Sequence, residues 1–275
     1  MTSPNDFPES APSGGPAGRP SSFDDWLQAF KEQASFFTGV KLNTGAPRWP
    51  LAEVLPVLPF IGAAVGLAAG LVFAIVRGVA GPGWLAATLA VGAAVLITRA
   101  LHEDGLAYTS DGLGPHALEP PRRLEIMRDS RNGTFGVLAL ALSVLIKVAC
   151  LAQFMGGTGL VVLMAAHAMS RAVIAYPLLA FGPVRTDGLG AQSGKPTDNE
   201  VWLTIGIGAA LSFVLLVGHG LFVAILAPAA AFASAWFGSR WIAARIGGYT
   251  GDTLGAVQQK AELAFLVVAA LLIHS

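Results

Sequence analysis

An apolar run that ends in a cluster of acids decides how this chain folds: residues 84–114 read WLAATLAVGAAVLITRALHEDGLAYTSDGLG. Up to Ala100 the run carries a single charge, and a helix of this length and composition can cross a lipid bilayer. Glu103, Asp104 and Asp111 follow immediately. Acidic side chains at the edge of an apolar segment are costly, so they indicate a function or a buried partner.

The composition is that of an integral membrane protein. Of 275 residues, 54% are hydrophobic and 12% are charged, whereas about a quarter of a soluble domain is charged. The 17 basic and 17 acidic side chains balance, so no overall positive field indicates binding to nucleic acid. The single cysteine, Cys150, excludes an intramolecular disulfide and is predicted to pack in the core.

Seven segments are long and apolar enough to span a bilayer, which takes roughly 20 residues. They are predicted at residues 54–77, 83–105, 134–154, 158–181, 201–217, 220–243 and 253–274. The fifth is the shortest, and a single kinked helix through the fifth and sixth is the alternative. The predicted fold is all-α: a polytopic helical membrane protein with about seven transmembrane helices.

The chain before the first span divides into two parts. Residues 1–22 are rich in Pro, Gly and Ser, show no cleavable signal peptide, and are predicted to be a disordered polar tail. Residues 23–50 are predicted to form an amphipathic helix and a linker, because apolar residues recur at helical spacing from Phe23 to Phe37. We expect this helix to lie in the membrane interface. Packing on the protein's own loops is the alternative.

The loop charges predict the orientation. Arginine and lysine cluster before the first span, between the second and third, between the fourth and fifth, and at the end of the sixth, whereas the opposite turns are nearly uncharged. By the positive-inside rule, the charged side and the N-terminus are cytoplasmic, and Ser275 is outside. Every long polar connection then faces the cytosol, and we expect the active site there.

The acids after the second span fall on one face if that helix continues through residue 111. Asp104, position 108 and Asp111 then lie within about 60° of one another, with Glu103 just beside them. Clustered carboxylates repel unless they are protonated or bridged by a cation, and oxygen ligands suit Mg²⁺, Mn²⁺ or Ca²⁺. Solvated acids at a helix end are the alternative, but adjacent glycines leave space for a bulky ligand.

Basic side chains fill the next loop. Arg122, Arg123, Arg128 and Arg131 surround Asp129. This pattern suits phosphate, because guanidinium groups bind phosphate oxygens in pairs. Anionic lipid headgroups are the alternative ligand, but the nearby acids favour a phosphorylated substrate.

Polar residues also enter the last span. Gly255, Gln258, Gln259 and Glu262 share one helical face behind Asp252. Intramembrane polar residues are costly, so this face predicts a polar groove. Helix packing through the glycine is the alternative.

Three further polar residues lie inside predicted spans. Arg171 needs an anionic partner, His167 is predicted to be a satisfied core histidine, and Lys147 is predicted to reach the interface with its long side chain. Carboxylates beside arginines on a cytosolic face predict phosphoryl or phosphodiester transfer on a large or amphipathic substrate. Residues 51–275 are therefore predicted to be the transmembrane catalytic domain.

Successive motifs resemble those of the cobalamin synthase family, adenosylcobinamide-GDP ribazoletransferase. They are HEDGLAYTSDGLG, RRLEIMRDSRNGTFG, the MSR of the fourth span, RTDGLG followed by GKP, and GGYTGDTLGAVQQKAELAF. The resemblance extends from PFIGAAVGL in the first span to the last span. It implies a Mg²⁺-dependent enzyme of the bacterial inner membrane that joins adenosylcobinamide-GDP to α-ribazole or its 5'-phosphate and releases GMP. This is the last assembly step of adenosylcobalamin biosynthesis.

The motifs and the charge pattern together assign roles to individual residues. The predicted metal-site residues are Glu103, Asp104, Asp111, Asp129 and Asp252. The predicted substrate-binding residues are Arg122, Arg123, Arg128, Arg171, Gln258 and Gln259. The predicted catalytic residues are Glu103, Asp104, Asp111 and Arg131, with Glu103 a candidate for accepting the hydroxyl proton.

One position within the metal motif departs from the family. The family usually reads DGLAD where this chain reads DGLAY, so Tyr108 stands at a normally acidic position. A phenol is a poor Mg²⁺ ligand. Either one metal is lost or weakened, or Glu103 replaces the missing carboxylate, or the chain has altered or low activity. Pro115 and His116 also stand where the family tends to have glycine.

Two other functions stay open. A CDP-alcohol phosphotransferase acting on lipid would share the metal chemistry, but its DGxxAR pattern is absent after Asp104 and Gly105. A membrane transporter would use Glu262, Lys147 and Arg171 as a charge pathway, but no internal repeat is visible. The sequence leaves open whether the chain forms a homo-oligomer.

Overall fold

The described part of the chain is helical. A computed structural model describes residues 19–42, 44, 47–114, 118–129 and 131–273. Its helices are α1 (Phe23–Phe37), α2 (Leu58–Gly78), α3 (Gly83–Thr98), α4 (Leu101–Leu113), α5 (Pro120–Ile126), α6 (Thr134–Ala152), α7 (Gly156–Ala172), α8 (Ala175–Ala180), α9 (Gly188–Gln192), α10 (Asp198–Leu216), α11 (Leu221–Ile246) and α12 (Gly251–Leu272). Leu51–Val57 and Val217–His219 are 3-10 helices. Most of the predicted tail, together with Pro115 and His116, lies outside the described residues.

Six helical segments among the described residues are long and apolar enough to cross a membrane. They are Leu51–Gly78, Thr134–Ala152, Gly156–Ala180, Asp198–His219, Leu221–Ile246 and Gly251–Leu272. The pair formed by α3 and α4 also qualifies, with a bend of 91° between its helices. The predicted all-α fold with about seven apolar spans is confirmed, and the side that each end faces stays a prediction.

The second predicted span is not one helix through residue 105. α3 ends at Thr98, and Arg99 and Ala100 have left-handed φ angles of 52° and 55°. The end of α1 holds this bend, because Gly39 N–H donates to the Ile97 carbonyl at 2.7 Å and Arg99 Nη2 donates to the Thr38 carbonyl at 3.2 Å. The acids therefore lie on a separate helix, α4, that turns away from the span.

The fifth and sixth predicted spans are distinct helices. α10 ends at Leu216, and Gly220 takes a φ of 131° before α11 begins. A residue with a side chain rarely adopts this angle, so the glycine permits the turn. The alternative of one kinked helix is therefore wrong. The fourth span also breaks, after Ala172, and resumes as α8 with Pro177 in its first turn, where a missing N–H costs little.

α7 is the central helix, and glycines on α2 bring it close. A Cβ on Gly66 would lie 2.5 Å from the Leu163 carbonyl oxygen, and one on Gly70 would lie 2.9 Å from Leu160 Cα. Small residues at every fourth position let two membrane helices pack backbone to backbone. Of the six spans, the one that contains α7 is the most buried. Cys150 is buried and free, as predicted.

α1 packs on the protein itself. It begins at a capping box: Asp25 N–H donates to Ser22 Oγ, and Ser22 N–H donates back to the Asp25 carboxylate, each at 3.1 Å. The helix contacts Leu51–Val57 and α2, with Phe37 buried, as the alternative interpretation proposed. Phe23 stays 81% exposed at the other end. A position in the membrane interface stays a prediction.

Candidate active site

Two glycines let α4 cross the first turns of α12 at close range. A Cβ on Gly105 would lie 2.5 Å from the Asp252 carbonyl oxygen, and one on Gly255 would lie 3.3 Å from His102 Cα. A side chain at Gly105 would therefore push the helices apart, since the neighbouring atoms belong to the Asp252 backbone, which cannot rotate away. The close crossing brings the exposed acid of α4, Asp104, beside the N-terminus of α12.

Four side chains meet at this crossing. The Tyr108 side chain lies close to the Asp104 carboxylate, one turn earlier on α4. The carboxylate of Asp252 is close enough to repel that of Asp104. Arg185 Nη1 lies 3.5 Å from Asp252 Oδ2, and its Nη2 donates to the Leu124 carbonyl at 2.9 Å. The structure thus places two acids, a phenol and a guanidinium together.

Arg185 reaches the crossing because its loop packs on the loop before α12. Val184 N–H donates to the Tyr249 carbonyl and Tyr249 N–H donates to the Gly182 carbonyl, both at 3.0 Å. Burial lowers the pKa of Arg185, and the negative charge of Asp252 opposes that shift. The charge pattern of the sequence alone indicates only that Arg185 is a basic loop residue. The signal that could have found it is its place in the RTDGLG motif.

Two of the predicted phosphate-binding arginines are exposed and paired with acids. Arg128 Nη2 lies 2.9 Å from Asp187 Oδ1, and Arg131 Nη2 lies 2.8 Å from Asp129 Oδ2. Hydrogen bonds from Arg131 lower the pKa of Asp129 to about 2. Asp129 therefore stays ionised near neutral pH, and the exposure of both pairs leaves each arginine free to exchange its acid for a phosphate.

The other two arginines of that loop differ from each other. Arg123 is buried, and it donates to the Leu118 carbonyl at 2.9 Å and to the Gly112 carbonyl at 3.0 Å. It thereby satisfies a carbonyl at the end of α4 that has no partner within the helix. Arg122 is exposed and pairs with Glu125 at 2.6 Å. Substrate binding by these two residues stays a prediction.

Asp111 lies two turns from Asp104, about 10 Å along α4. Its two carboxylate oxygens accept the N–H groups of Gly133 at 2.7 Å and Gly136 at 2.8 Å, at the start of α6. An acid there satisfies orphan amides and interacts favourably with the helix dipole. Asp129 lies in the surface loop. Across the described ranges, no three acids, histidines or cysteines form a group that could hold a metal. The five predicted ligands are therefore not gathered in one place.

A buried ionic network links α4, α6 and α12. Lys147 Nζ lies 2.7 Å from Glu262 Oε1 and 3.9 Å from Glu103 Oε1, and it donates to Gln259 Oε1 at 2.8 Å. Gln259 Nε2 in turn donates to Glu103 Oε1 at 2.9 Å. Lys147 is 4% exposed, so the prediction that it reaches the interface is wrong. Partners on two other helices hold its ammonium inside.

The same network extends to α7. Gln258 Nε2 donates to Glu262 Oε2 at 2.8 Å and to Ser170 Oγ at 2.9 Å. His167 Nδ1 lies 3.3 Å from Glu262 Oε2 and 2.9 Å from Arg171 Nη1, so it is the satisfied core histidine predicted. No carboxylate of the described residues lies within ion-pair distance of Arg171. The carboxylates of Glu262 and Glu103 nevertheless lie close enough to attract its charge.

These contacts separate the predicted residues into two groups. The pair Asp104 and Asp252 lies at the crossing, whereas Glu103, Gln258, Gln259 and Arg171 belong to the buried network. The polar groove predicted on the last span is thus filled by side chains of neighbouring helices. Glu103 Oε2 and Arg171 Nε find no hydrogen-bond partner among the described residues.

Asp104 and Asp252 fit a divalent cation held partly by substrate. Two carboxylates that repel each other gain from a cation between them. Mg²⁺ in proteins is commonly bound by one or two carboxylates together with substrate phosphates, rather than by a complete protein cage. Arg185 beside the pair carries a guanidinium, a group that also binds phosphate oxygens. The donor set at the crossing therefore suits Mg²⁺.

The chain matches one family model over most of its length. Residues 29–270 match the model described as cobalamin-5-phosphate synthase. The chain belongs to the cobalamin-5-phosphate synthase family. The match confirms the family resemblance of the sequence motifs and includes every residue of the α4–α12 crossing. No solved structure matches the chain.

Curated relatives of this family member share one name, adenosylcobinamide-GDP ribazoletransferase. The relative from Allorhizobium ampelinum is 41% identical over 222 residues, which cover 78% of this chain and 83% of the relative. The relative from Bradyrhizobium diazoefficiens is 40% identical over 242 residues, covering 86% and 91%. The relative from Azorhizobium caulinodans is 40% identical over 225 residues, covering 79% and 83%. The similarity thus extends over most of both chains.

Proposed function

We propose that this cobalamin-5-phosphate synthase family member is an adenosylcobinamide-GDP ribazoletransferase. It transfers adenosylcobinamide phosphate from adenosylcobinamide-GDP to α-ribazole, or its 5'-phosphate, and releases GMP. The family match over residues 29–270 and the shared name of relatives at about 40% identity carry this proposal. The meeting of Asp104, Asp252 and Arg185 at one helix crossing supplies the chemistry that such a reaction needs.

In the proposed reaction, the phosphorus atom attached to cobinamide exchanges one P–O bond for another. The ribose 3'-hydroxyl oxygen of α-ribazole forms a bond to the phosphorus attached to cobinamide. The bond from that phosphorus to the oxygen bridging the two phosphates breaks, and GMP leaves with that oxygen. The hydroxyl proton passes to a base. Negative charge concentrates on the phosphoryl and leaving oxygens, so positioned cations lower the barrier.

The residues at the crossing divide these tasks. Asp104 and Asp252 would hold Mg²⁺, which neutralises the charge of the diphosphate when bound. Arg185 would bind nonbridging phosphate oxygens next to them. The exposed residues Arg128 and Arg131 would exchange their acid partners for phosphate as the substrate arrives.

We place the reaction on the cytoplasmic face of a bacterial inner membrane. The excess of arginine and lysine in the connections on that side supports this orientation, by the positive-inside rule. The apolar helical segments support a multi-pass membrane protein. The family match does not favour a lipid phosphotransferase or a transporter.

A direct assay tests the proposal. The protein, purified in detergent, is incubated with adenosylcobinamide-GDP, α-ribazole and Mg²⁺, and GMP is measured by chromatography. We expect GMP release that requires all three and stops when the metal is chelated. A monodisperse, folded preparation that releases no GMP with all three present would contradict the proposed activity.

A further inference from the structure

Two cations share one tryptophan at the end of α11. The Arg245 guanidinium carbon lies 3.7 Å from the centroid of the Trp241 ring, and Lys260 Nζ on α12 lies 5.2 Å from the same centroid. Arg245 Nη1 also donates to the Trp241 carbonyl at 2.9 Å. None of these three residues contacts the Asp104–Asp252 pair or the buried network through any hydrogen bond or ion pair described above. The proposed reaction leaves them without a role.

Among the described residues, no acid pairs with either of the two cations. The charge of Arg245 acts against that of Lys260, so the groups lie close enough to repel. In the part of the chain that the structure describes, no carboxylate lies within ion-pair distance of either residue. Lys147 and Arg185, by contrast, each contact an acid. Two like charges on an apolar surface repel each other and gain from an anion that joins them.

The surface around these cations is apolar and open. Phe237 is 65% exposed and Trp241 is 42% exposed, on the same part of α11. Gly238 leaves space beside the partly exposed lysine, since a Cβ there would lie 4.0 Å from Lys260 Cδ. Lys260 belongs to an apolar segment long enough to cross a membrane. An anion that reaches this place must therefore be amphipathic.

We propose that Arg245, Lys260 and Trp241 form a binding site for an anionic phospholipid. The guanidinium takes two oxygens of the lipid phosphate and the ammonium takes a third. An acyl chain lies along Phe237. A zwitterionic lipid binds less well, because its own ammonium group is repelled by the two cations.

A neighbouring arginine provides a matched control. Arg240 stacks on Trp236 at 4.4 Å, and its Nε donates to the Tyr176 hydroxyl at 3.3 Å. It lies five residues before Arg245 on the same helix, and its guanidinium is occupied by different partners. The variant Arg240→Gln removes the same charge from the same helix without touching the proposed site.

Native mass spectrometry of the full chain tests the proposal. Protein in detergent is titrated with phosphatidylglycerol or phosphatidylcholine, and the retained lipid is counted. The parent is expected to retain phosphatidylglycerol preferentially. Arg245→Gln/Lys260→Gln is expected to weaken that retention roughly tenfold or more, and Arg240→Gln by no more than about twofold. Inorganic phosphate at millimolar concentration is not expected to displace the lipid.

Three outcomes would overturn the proposal. They are equal retention of the two lipids by the parent, unchanged retention by the double variant, and equal loss in Arg240→Gln. Size-exclusion elution and the unfolding midpoint in lipid-free detergent verify the fold of each variant. If the double variant does not fold, Lys260→Gln alone replaces it, with an expected loss of roughly threefold or more. GMP release is measured separately, so this test stands whether or not the proposed activity is found.

Discussion

The ammonium of Lys147 lies 2.7 Å from the carboxylate of Glu262, and both side chains are almost fully buried between α6 and α12. Removing one partner of a buried pair leaves the other charge uncompensated. We expect Lys147→Met to lower the free energy of unfolding by about 3–5 kcal/mol. Unfolding in detergent measures the change. The double variant Lys147→Met/Glu262→Gln should recover part of the loss, and additive losses would contradict the pairing.

Asp104 and Asp252 should be the acids on which turnover depends most. We expect Asp104→Asn and Asp252→Asn each to lower the rate of GMP release by about a hundredfold or more. Each variant loses a carboxylate that is proposed to hold Mg²⁺ at the reacting phosphate. Asp187→Asn is the matched control. Its carboxylate is exposed and pairs with Arg128, so the rate should fall by less than about tenfold. Near-parental rates in both main variants would place the reaction elsewhere.

Asp111 should act on stability through its contacts with α6. Asp111→Ala removes the acceptor for the N–H groups of Gly133 and Gly136. We expect the free energy of unfolding to fall by about 0.5–2 kcal/mol, as for other lost helix caps. The Mg²⁺ concentration for half-maximal GMP release should stay unchanged. A clear rise in that concentration, in folded protein, would instead make Asp111 a metal ligand, as the motif implies.

Tyr108 offers a way to strengthen the metal site. Its side chain lies close to Asp104 and Asp252, so Tyr108→Asp adds a third carboxylate at the crossing. We expect half-maximal GMP release at a lower Mg²⁺ concentration, because an added carboxylate is a better Mg²⁺ ligand than a phenol. Tyr108→Phe is the control and should not lower it. A parental metal titration for Tyr108→Asp would exclude position 108 from the coordination shell.

Gly105 should be needed to keep Asp104 and Asp252 close to each other. A Cβ there would lie 2.5 Å from the Asp252 carbonyl oxygen, so Gly105→Ala must move α4 away from α12. Small displacements of reacting groups are costly, and we expect GMP release to fall by roughly tenfold to a hundredfold. Gly92→Ala on α3, where a Cβ would meet nothing within 4 Å, should retain the parental rate. Equal rates in both variants would contradict the close crossing.

Local sequence patterns are enough to predict the apolar spans, but not the contacts between the spans. Apolar runs predict the helices because a bilayer demands about 20 such residues in sequence. The bend at Arg99 and Ala100 carries no glycine or proline, and contacts from Thr38 and Gly39 impose it. No local signal predicts it.

The site was predictable only in part, for the same reason. The motifs singled out Asp104 and Asp252, which the structure brings together. Lys147 was misplaced because its acid, Glu262, lies on a helix distant in sequence. Charge and hydropathy along the chain describe what a residue costs to bury, whereas its partner depends on the fold.

The bend after α3 is stabilised by residues that directly follow α1. Gly39 N–H donates to the Ile97 carbonyl before the bend, and the Thr38 carbonyl accepts from Arg99 within it. The helix that carries the acids, α4, begins directly after this bend. A shortened chain that starts after residue 39 would keep the apolar segments described above and yet lose these two hydrogen bonds. We therefore expect α1 to help fix the direction of α4, although α1 carries none of the residues proposed to take part in the reaction.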